Sequence, residues 1–494
     1  MSLGRVFRGA LWLSIGVVFS NFFGFIYWLV MSKFVEVDVV GRAAAILSVE
    51  ALITAFINLG IPIGVQRFMG AMYSRRDYEK LSQYYYSPMI LLFILSLSAD
   101  IILIVLSLMY NGLFSLDLLS IIFLCILIIC GFNGWSIIGQ SFFNATLKTE
   151  YTALTQISSS LIRLAVSLLL IYLGYSFIGL MMGYVVAGLT TSILMLTLPM
   201  YILTKTRTSF SFSINSIRDS LRAGVSSWIP DILTLLSQCA GVLGVYSIGG
   251  LAETGLYFIA FTITSAVMSF PQSILTLSFP TISGMHDGRK RAMYRAVKIS
   301  ASLIAPIAFF LILYSSILPK FLGEAYTGAS EPIRLLTLGY LISPINAGYT
   351  YYAYAIGNYS HVLAIGLAGT IPRLLLYPLL INLYGDIGAA VTFSLGNITT
   401  LLMVIILARK MNYNLQFKEY LKIIMIPSAL SVLLKFFEAY WVIGLMILSV
   451  SYFIYAKLRI ITKEDLREIG ESIASRQFLE KLYPYLRPIL SLIY

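Results

Sequence analysis

Five ionisable side chains lie inside long apolar stretches of the sequence, where a charge is costly and usually has a function. They are three acids and two arginines, namely Glu50, Asp100, Asp231, Arg163 and Arg373. A carboxylate in such a place can take up a proton or Na+, and an arginine offers a permanent charge with a fork of hydrogen-bond donors for an anion. The residue types therefore indicate ion coupling and anion binding.

Other kinds of chemistry have little support. The only histidines are His286 and His361, and the cysteines Cys125, Cys130 and Cys239 all lie in apolar stretches. We therefore expect no catalytic residues, no cofactor, no metal site and no disulfide framework. The absence of a GxxxxGK[ST] motif argues against direct use of ATP.

Composition places the chain in the membrane. Of its 494 residues, 59% are hydrophobic and only 11% are charged, far fewer than in soluble proteins. The net charge of +12 does not indicate nucleic acid, because Lys and Arg lie between the apolar stretches. The first stretch, 9–31, is too long for a cleavable signal peptide, so we expect it to remain as a helix.

Apolar stretches of the length that spans a bilayer predict an all-α polytopic membrane protein with about 14 helices. The predicted extents are 9–31, 43–65, 87–109, 117–138, 152–173, 177–203, 223–246, 255–278, 299–318, 332–355, 361–383, 387–408, 420–437 and 440–456.

The distribution of basic residues predicts the orientation of these helices. With the N-terminus in the cytoplasm, most of the 34 Lys and Arg fall in cytoplasmic loops, as positive-inside topology requires. The exceptions in outer loops are Lys33, Arg42, Lys320, Arg334 and Lys435. We therefore expect both termini in the cytoplasm of a multi-pass protein of the cell membrane.

The two halves of the chain repeat each other. One shift aligns Arg8 with Arg222 and Gly41 with Gly255, and a slightly smaller shift aligns Arg163 with Arg373. Two related six-helix lobes in parallel orientation follow from this pattern. The predicted division is 1–204 and 205–410 for the lobes, 411–458 for two additional transmembrane helices, and 459–494 for a cytoplasmic amphipathic tail.

Short motifs in a fixed order carry a family resemblance over roughly residues 5–410. They are Gly41, Asn58-Leu59-Gly60 and Arg67, Gly255-Leu256-Tyr257, Phe279-Pro280 with Ser283, the stretch TALTQISSSLIRLAVSLLLIYLGYSFIGL from Thr152, and LLINLYGDIGAAVTF from Leu379. This pattern resembles the Wzx-type polysaccharide biosynthesis flippases, in the superfamily that includes multidrug and toxic compound extrusion transporters.

The resemblance implies two lobes around a central cavity lined mainly by helices 1, 2, 7 and 8, with alternating access to the two membrane faces. It implies transport of a lipid-linked oligosaccharide, on polyprenyl phosphate or pyrophosphate, from the cytoplasmic to the outer leaflet. Membrane lipids are then the other partners, and we expect a monomer that binds no nucleic acid. A phosphate that crosses the membrane would suit Arg163 and Arg373.

Each candidate residue also has a structural interpretation. Arg8 and Arg222 would gather an anionic head group at the inner mouth or act as positive-inside anchors. Polar groups on helices 1, 2 and 7 would bind sugar hydroxyls or hold helices together; these are Asn21, Asn58 and Gln238.

The intramembrane acids have two interpretations as well. Similar depths allow one structural ion pair in each lobe, Asp100 with Arg163 and Asp231 with Arg373. Alternatively Glu50, Asp231 and Asp100 bind a coupling ion, H+ or Na+. The resemblance favours Glu50 and Asp231, because it implies that helices 2 and 7 line the cavity. In addition, Glu50 has no obvious partner in its own helix, and Asp231 follows Pro230, which would free backbone carbonyls.

Two tyrosine sets would line a sugar-binding wall or form interfacial belts. They are Tyr84-Tyr85-Tyr86 and Tyr349, Tyr351, Tyr352 and Tyr354. Two alternative functions also remain, a cation-coupled multidrug antiporter and a membrane glycosyltransferase or polymerase. The short outer loops count against the enzyme.

Overall fold

The described helices account for the predicted membrane spans. The computed structural model describes residues 16, 19–20, 22–109, 117–130, 134–205, 208, 210–283, 285 and 287–462. The helices in this part of the chain are α1 Phe22–Met31, α2 Val37–Asn58, α3 Ile61–Arg75, α4 Tyr78–Met109, α5 Leu118–Cys130, α6 Gly134–Ala145, α7 Thr149–Tyr172, α8 Ser176–Lys205, α9 Ile214–Ile248, α10 Gly250–Ser283, α11 Arg289–Leu313, α12 Ile317–Leu322, α13 Ser330–Tyr340, α14 Ser343–Ala355, α15 Tyr359–Lys410, α16 Phe417–Phe436 and α17 Trp441–Lys457.

This architecture confirms the predicted fold class. Within the described residues there are helices and no strands, and nine helical segments are long and apolar enough to cross a membrane. The short connection between the predicted spans 361–383 and 387–408 lies inside α15, where Gly385 has φ 57° and ψ −134° and reverses the chain. The first predicted helix, 9–31, is described mainly over Phe22–Met31.

Two predicted spans are interrupted. The second, predicted as 43–65, begins earlier at Val37 and breaks at Leu59 and Gly60, whose φ values of 49° and 70° are left-handed. Helix α3 then continues to Arg75. The tenth, predicted as 332–355, is divided into α13 and α14. Hydropathy gave the apolar length of these stretches but carries no signal for a local change in backbone direction.

The chain divides into two compact units, Met1–Phe258 and Ile259–Tyr494. In the first unit, α9 packs against α2, α3 and α4, and α7 packs against α8. In the second unit, α11 contacts α13, α14, α16 and α17, and α15 packs against α13 and α14. The first unit thus includes α9, the seventh predicted span, whereas the lobes inferred from the sequence repeat stay a prediction.

Glycines allow the backbones of α3 and α9 to touch. A Cβ atom on Gly60 or Gly224 would overlap the carbonyl oxygen of the other, and one on Gly64 would overlap that of Ser220. The indole of Trp228 adds a hydrogen bond of 2.8 Å from Nε1 to the carbonyl oxygen of Ala55. Small residues commonly permit such close helix packing in membranes.

We expect Gly224→Ala to lower the melting temperature of the purified protein by several degrees. Overpacking typically costs about 1–3 kcal/mol, and no flexible side chain can yield at this contact. Thermal unfolding in detergent, followed by intrinsic fluorescence, measures the effect. Gly24→Ala in α1 is the matched control, because a Cβ atom there meets nothing within 4 Å. Equal melting of the two variants would contradict the packing argument.

A second close approach joins α2 to the start of α10. A Cβ atom on Gly41 would lie 2.9 Å from the backbone nitrogen of Gly255, and one on Gly255 would overlap the carbonyl oxygen of Val37. These two glycines align with each other in the sequence repeat.

An ionic contact holds three helix ends together in the first unit. The Arg42 guanidinium binds the Asp117 carboxylate, donates from Nε to Ser120 Oγ at 2.9 Å, and lies 3.8 Å from the ring centroid of Phe177. Burial opposes ionisation of Asp117, but the hydrogen bonds from Ser120 and the charge of Arg42 outweigh it and lower its pKa. The pair is therefore charged at neutral pH.

Candidate functional site: an arginine between two tyrosines

Arg163 lies near the middle of α7, and its guanidinium packs between two aromatic rings. Its Cζ atom is 4.6 Å from the ring centroid of Tyr27 in α1 and 4.8 Å from that of Tyr184 in α8. A cation over an aromatic face is stabilised by about 0.5–2 kcal/mol, more where water is excluded. The rings therefore hold a charge at membrane depth without neutralising it.

Neighbouring contacts fix the two rings. The Tyr27 hydroxyl is 2.9 Å from Ser167 Oγ, and Tyr27 and Tyr184 meet edge to face with centroids 5.4 Å apart. Trp28 packs on both rings, at 5.4 and 6.1 Å. Gly183 brings α8 against α7, because a Cβ atom there would overlap the hydroxyl of Ser167. The ring pair is thus a preformed cradle for Arg163.

The guanidinium has no acceptor among the described residues. Its Nε atom is buried without a hydrogen-bond partner, and Arg163 forms no ion pair or hydrogen bond with any residue that the structure describes. The permanent charge and the N–H donors of the two terminal nitrogens are thus available to a ligand. The arrangement suits a phosphate or other oxyanion, which an arginine binds with two parallel hydrogen bonds.

Arg373, the repeat partner of Arg163, is satisfied by protein groups. Its Nη2 atom donates to the carbonyl oxygen of Phe393 at 3.1 Å and to Asn397 Oδ1 at 2.9 Å, and its Cζ atom lies 4.5 Å from the Phe393 ring centroid. Asn346 Nδ2 in turn donates to the backbone carbonyl of Asn397 at 3.0 Å. Neutral protein oxygens thus accept hydrogen bonds from the Arg373 guanidinium. The pairing of Asp231 with Arg373 stays a prediction.

We expect Arg373→Ala to destabilise the protein by about 2–4 kcal/mol, since it leaves buried acceptors unpaired and opens a void. The void would lie beside Gly396, whose missing side chain makes room for this arginine. The loss should appear as a lower melting temperature and a smaller monodisperse fraction in detergent. Arg409→Ala, at an exposed arginine of the same helix, is the control. An unchanged melting temperature would return Arg373 to the list of substrate-binding candidates.

The predicted ion pair between Asp100 and Arg163 is wrong. Asp100 is buried in α4 beside the thiol of Cys125 in α5, and neither carboxylate oxygen has a hydrogen bond of normal geometry to a described residue. Arg163 faces α1 and α8 instead. The two residues share a depth, but depth does not determine which face of a helix a side chain occupies.

Glu50 is buried in α2 with polar but uncharged neighbours. Thr54 Oγ1 donates to Glu50 Oε1 at 2.8 Å, so the expectation of no partner within its own helix is wrong; the spacing i, i+4 places the two side chains on one face. Across the helix contact, Cys239 of α9 lies close enough to interact with both Glu50 and Ser48. No described cation pairs with Glu50.

The remaining candidates are dispersed. Asp231 and Arg222 are exposed in α9, and Asn58 and Gln238 are half-buried in α2 and α9. The Thr234 hydroxyl donates a hydrogen bond of 3.0 Å to the carbonyl oxygen of Pro230. Arg8 and Asn21 lie outside the described residues. The structure therefore brings none of these residues to Arg163, and their roles stay predictions.

Both tyrosine sets include buried packing residues. Tyr85 is fully buried, with its hydroxyl near the carbonyl oxygens of Met195 and Leu196. Tyr349 is buried against Tyr352 and Tyr413, and its hydroxyl lies 3.0 Å from His361 Nδ1. Neither a sugar-binding wall nor an interfacial belt describes such side chains.

The cradle residues Tyr27, Trp28 and Tyr184 were not predicted. Each lies in an apolar stretch among many aromatics, and no local spacing distinguishes it. Only the tertiary contact of α1, α7 and α8 identifies them.

Comparisons with known proteins agree with this architecture. The chain is similar to a solved structure described as lipid II flippase MurJ in an inward closed conformation, with a TM-score of 0.73 and 18% identity over 90% of this chain and 98% of that one. It is also similar to an inward-facing multidrug resistance MATE family transporter of the MOP superfamily, with a TM-score of 0.61 and 14% identity over 81% and 96%.

A third similar structure is a MOP superfamily transporter from Pyrococcus furiosus, with a TM-score of 0.53 and 15% identity over 81% of this chain and 94% of that one. Its description reports a reversed polarity of the binding pocket. At these identities the likeness shows a shared fold. A search of curated proteins finds no match.

Comparison of the sequence with family models identifies the family more specifically than the structural similarities do. Residues 6–286, more than half of the chain, match the family described as polysaccharide biosynthesis protein. The predicted resemblance is therefore confirmed, and this membrane protein belongs to the polysaccharide biosynthesis protein family, with the fold of MOP superfamily transporters.

Proposed function

We propose that this protein is a flippase that moves a lipid-linked oligosaccharide from the cytoplasmic to the outer leaflet by alternating access. The observation that carries the proposal is Arg163, a permanent cation at membrane depth between two tyrosine rings with no acceptor among the described residues. Family membership supports a substrate from polysaccharide assembly. A structure with this fold is described as a lipid flippase, which supports the same class of substrate.

In this mechanism Arg163 binds the phosphate or pyrophosphate that joins the sugar to its polyprenyl carrier. The charge of that group is the largest barrier to crossing, because moving an ion from water into a low dielectric costs many kcal/mol. Two hydrogen bonds from one guanidinium offset part of this cost at the depth where it is greatest. The polyprenyl tail stays in the bilayer, and no covalent bond forms or breaks.

Glu50 is the best-placed residue for coupling to an ion. It is buried, it accepts a hydrogen bond from Thr54, and it has no cationic partner among the described residues. A proton or Na+ would neutralise it, and its binding would then favour whichever transport state buries Glu50. The driving ion would come from the membrane gradient, with no organic cofactor.

The burial of Glu50 without a described cationic partner favours a second candidate function, a cation-coupled multidrug antiporter. An acid buried without a counter-charge is suited to exchange a proton or sodium ion for a cationic drug. The unpaired Arg163 argues for an anionic substrate instead. The two candidates therefore assign the transported molecule to opposite signs of charge.

One preparation distinguishes them. Purified protein in liposomes is supplied with a fluorescent polyprenyl-pyrophosphate oligosaccharide, and its movement between leaflets is followed by quenching from outside. Ethidium efflux is measured in the same liposomes under a proton or sodium gradient. Movement of the lipid-linked sugar alone supports the flippase; efflux of ethidium alone refutes it and supports the antiporter.

Orientation, location and assembly belong to the same proposal. With both termini in the cytoplasm, the basic exit of α3 at Arg75 and Arg76 faces the leaflet in which the lipid-linked substrate is made. We propose that the protein acts as a monomer in the cell membrane.

A further inference from the structure

A cavity with both apolar and polar lining residues lies in the first unit, away from Arg163. Its volume is about 390 Å³, within the range of small-molecule sites. Helices α3, α4, α6, α7 and α8 contribute to it, together with Lys148 just before α7. Its polar lining consists of two lysines and four tyrosines: Lys148, Lys205, Tyr73, Tyr78, Tyr151 and Tyr201.

The described lining carries two positive charges and no negative one. No Asp or Glu is among the described residues that line the cavity. Neither Lys148 nor Lys205 forms an ion pair with a residue that the structure describes. The Lys205 ammonium lies 4.6 Å from the ring centroid of Tyr201, which orients it without neutralising it.

Several phenol groups are also available for binding. The hydroxyls of Tyr73, Tyr78 and Tyr151 have no hydrogen-bond partner among the described residues, and the ring of Tyr151 is held by stacking on Phe143. Ammonium and phenol groups both donate to phosphate oxygens. The remainder of the lining is apolar, with Leu198 and Ile202 from the candidate span α8.

We propose that this cavity binds the phosphate head group of an anionic membrane phospholipid. The lysines and phenols bind the phosphate, and the apolar wall on α8 receives the first part of an acyl chain. The cavity is lined by Tyr73 from the last turn of α3, close in sequence to Arg75 and Arg76, so it lies at the end of α3 predicted to face the anionic cytoplasmic leaflet.

This site is separate from the proposed transport site. Tyr151 and Arg163 are both in α7, twelve residues apart, which corresponds to about 18 Å along the helix axis. Loss of the lipid site therefore need not remove the anion site at Arg163, and the flippase proposal can fail while this one holds.

Native mass spectrometry of delipidated protein titrated with phosphatidylglycerol tests the inference. Wild-type protein should bind one equivalent of phosphatidylglycerol, and its affinity for phosphatidylglycerol should exceed its affinity for phosphatidylcholine. The double variant Lys148→Gln with Lys205→Gln should weaken binding about tenfold or more, because each charge-assisted hydrogen bond contributes on that scale. Lys410→Gln with Lys418→Gln removes the same charge from exposed positions outside the cavity and should leave affinity unchanged.

Two further measurements complete the test. The lipid-free melting temperature of the Lys148 and Lys205 variant should equal that of wild type, which separates lost binding from lost folding. Inorganic phosphate should fail to displace phosphatidylglycerol. Equal affinity of the two double variants would overturn the proposal, as would equal binding of phosphatidylcholine. Displacement by inorganic phosphate would assign the cavity to soluble phosphate compounds and overturn the lipid assignment.

Discussion

Arg163→Gln should lower the rate at which the lipid-linked oligosaccharide crosses the membrane by roughly 100-fold, the equivalent of about 3 kcal/mol for a lost bidentate contact to phosphate. Glutamine keeps some hydrogen-bonding capacity but has no charge to offset the desolvation of the phosphate. Because Arg163 donates no hydrogen bond to a described residue, its removal leaves no described acceptor unpaired. The rate in liposomes, normalised to the amount of folded protein, measures the effect.

Two companion variants make this result specific. Arg163→Lys keeps the charge but loses the planar fork and its stacking on Tyr27 and Tyr184, so we expect a loss of about tenfold. Arg75→Gln removes an exposed arginine and should transport as wild type does. A normal rate for Arg163→Gln, with normal membrane abundance, would remove the residue from the transport site and leave it a packing role in the aromatic cradle.

The contrast between the two arginines shows what the sequence repeat can and cannot establish. Arg163 and Arg373 align, and each lies over an aromatic ring, so the repeat identified equivalent positions. Their hydrogen bonding differs, because Asn397 and the Phe393 carbonyl satisfy Arg373 whereas no described group satisfies Arg163. Equivalent positions in the repeat therefore differ in hydrogen bonding, and only Arg163 keeps donors for the anion that we propose it binds.

The fold was largely predictable because hydrophobic length and charge placement determine which segments cross a membrane. The breaks within predicted helices were not predictable from hydrophobic length and charge placement. The break at Leu59 and Gly60 lies inside a predominantly apolar stretch, and it permits the backbone contact between Gly60 and Gly224. That contact joins residues far apart in sequence, and no hydropathy window includes both of them.

The site was predictable only in part. Burial of Glu50 at membrane depth follows from its apolar surroundings, and the i, i+4 spacing of Glu50 and Thr54 was a usable signal for their hydrogen bond. The pairing of Asp100 with Arg163 failed because each side chain faces different helices. The sequence gives the depth of a residue in a helix bundle. Which neighbouring helix its side chain faces is known only from the tertiary structure.

Glu50→Gln should abolish the response of transport to an ion gradient. Glutamine resembles the protonated acid in shape but cannot release a proton or bind Na+ by charge, so one state of the coupling cycle is lost. Ion coupling of this kind commonly changes rates or affinities by about 5–150-fold, and we expect the variant to lose about tenfold stimulation. The measurement is the ratio of transport rates with and without an imposed proton or sodium gradient.

Thr54→Val and Glu438→Gln show whether the carboxyl group itself is responsible. Thr54→Val removes the donor to Glu50 Oε1 but keeps the acid, so the gradient response should persist while stability falls by about 1–3 kcal/mol. Glu438 is exposed beyond α16, and its replacement should change neither property. If Glu50→Gln kept the full gradient response, the coupling ion would bind elsewhere; Asp231, exposed on α9, would be the next acid to test.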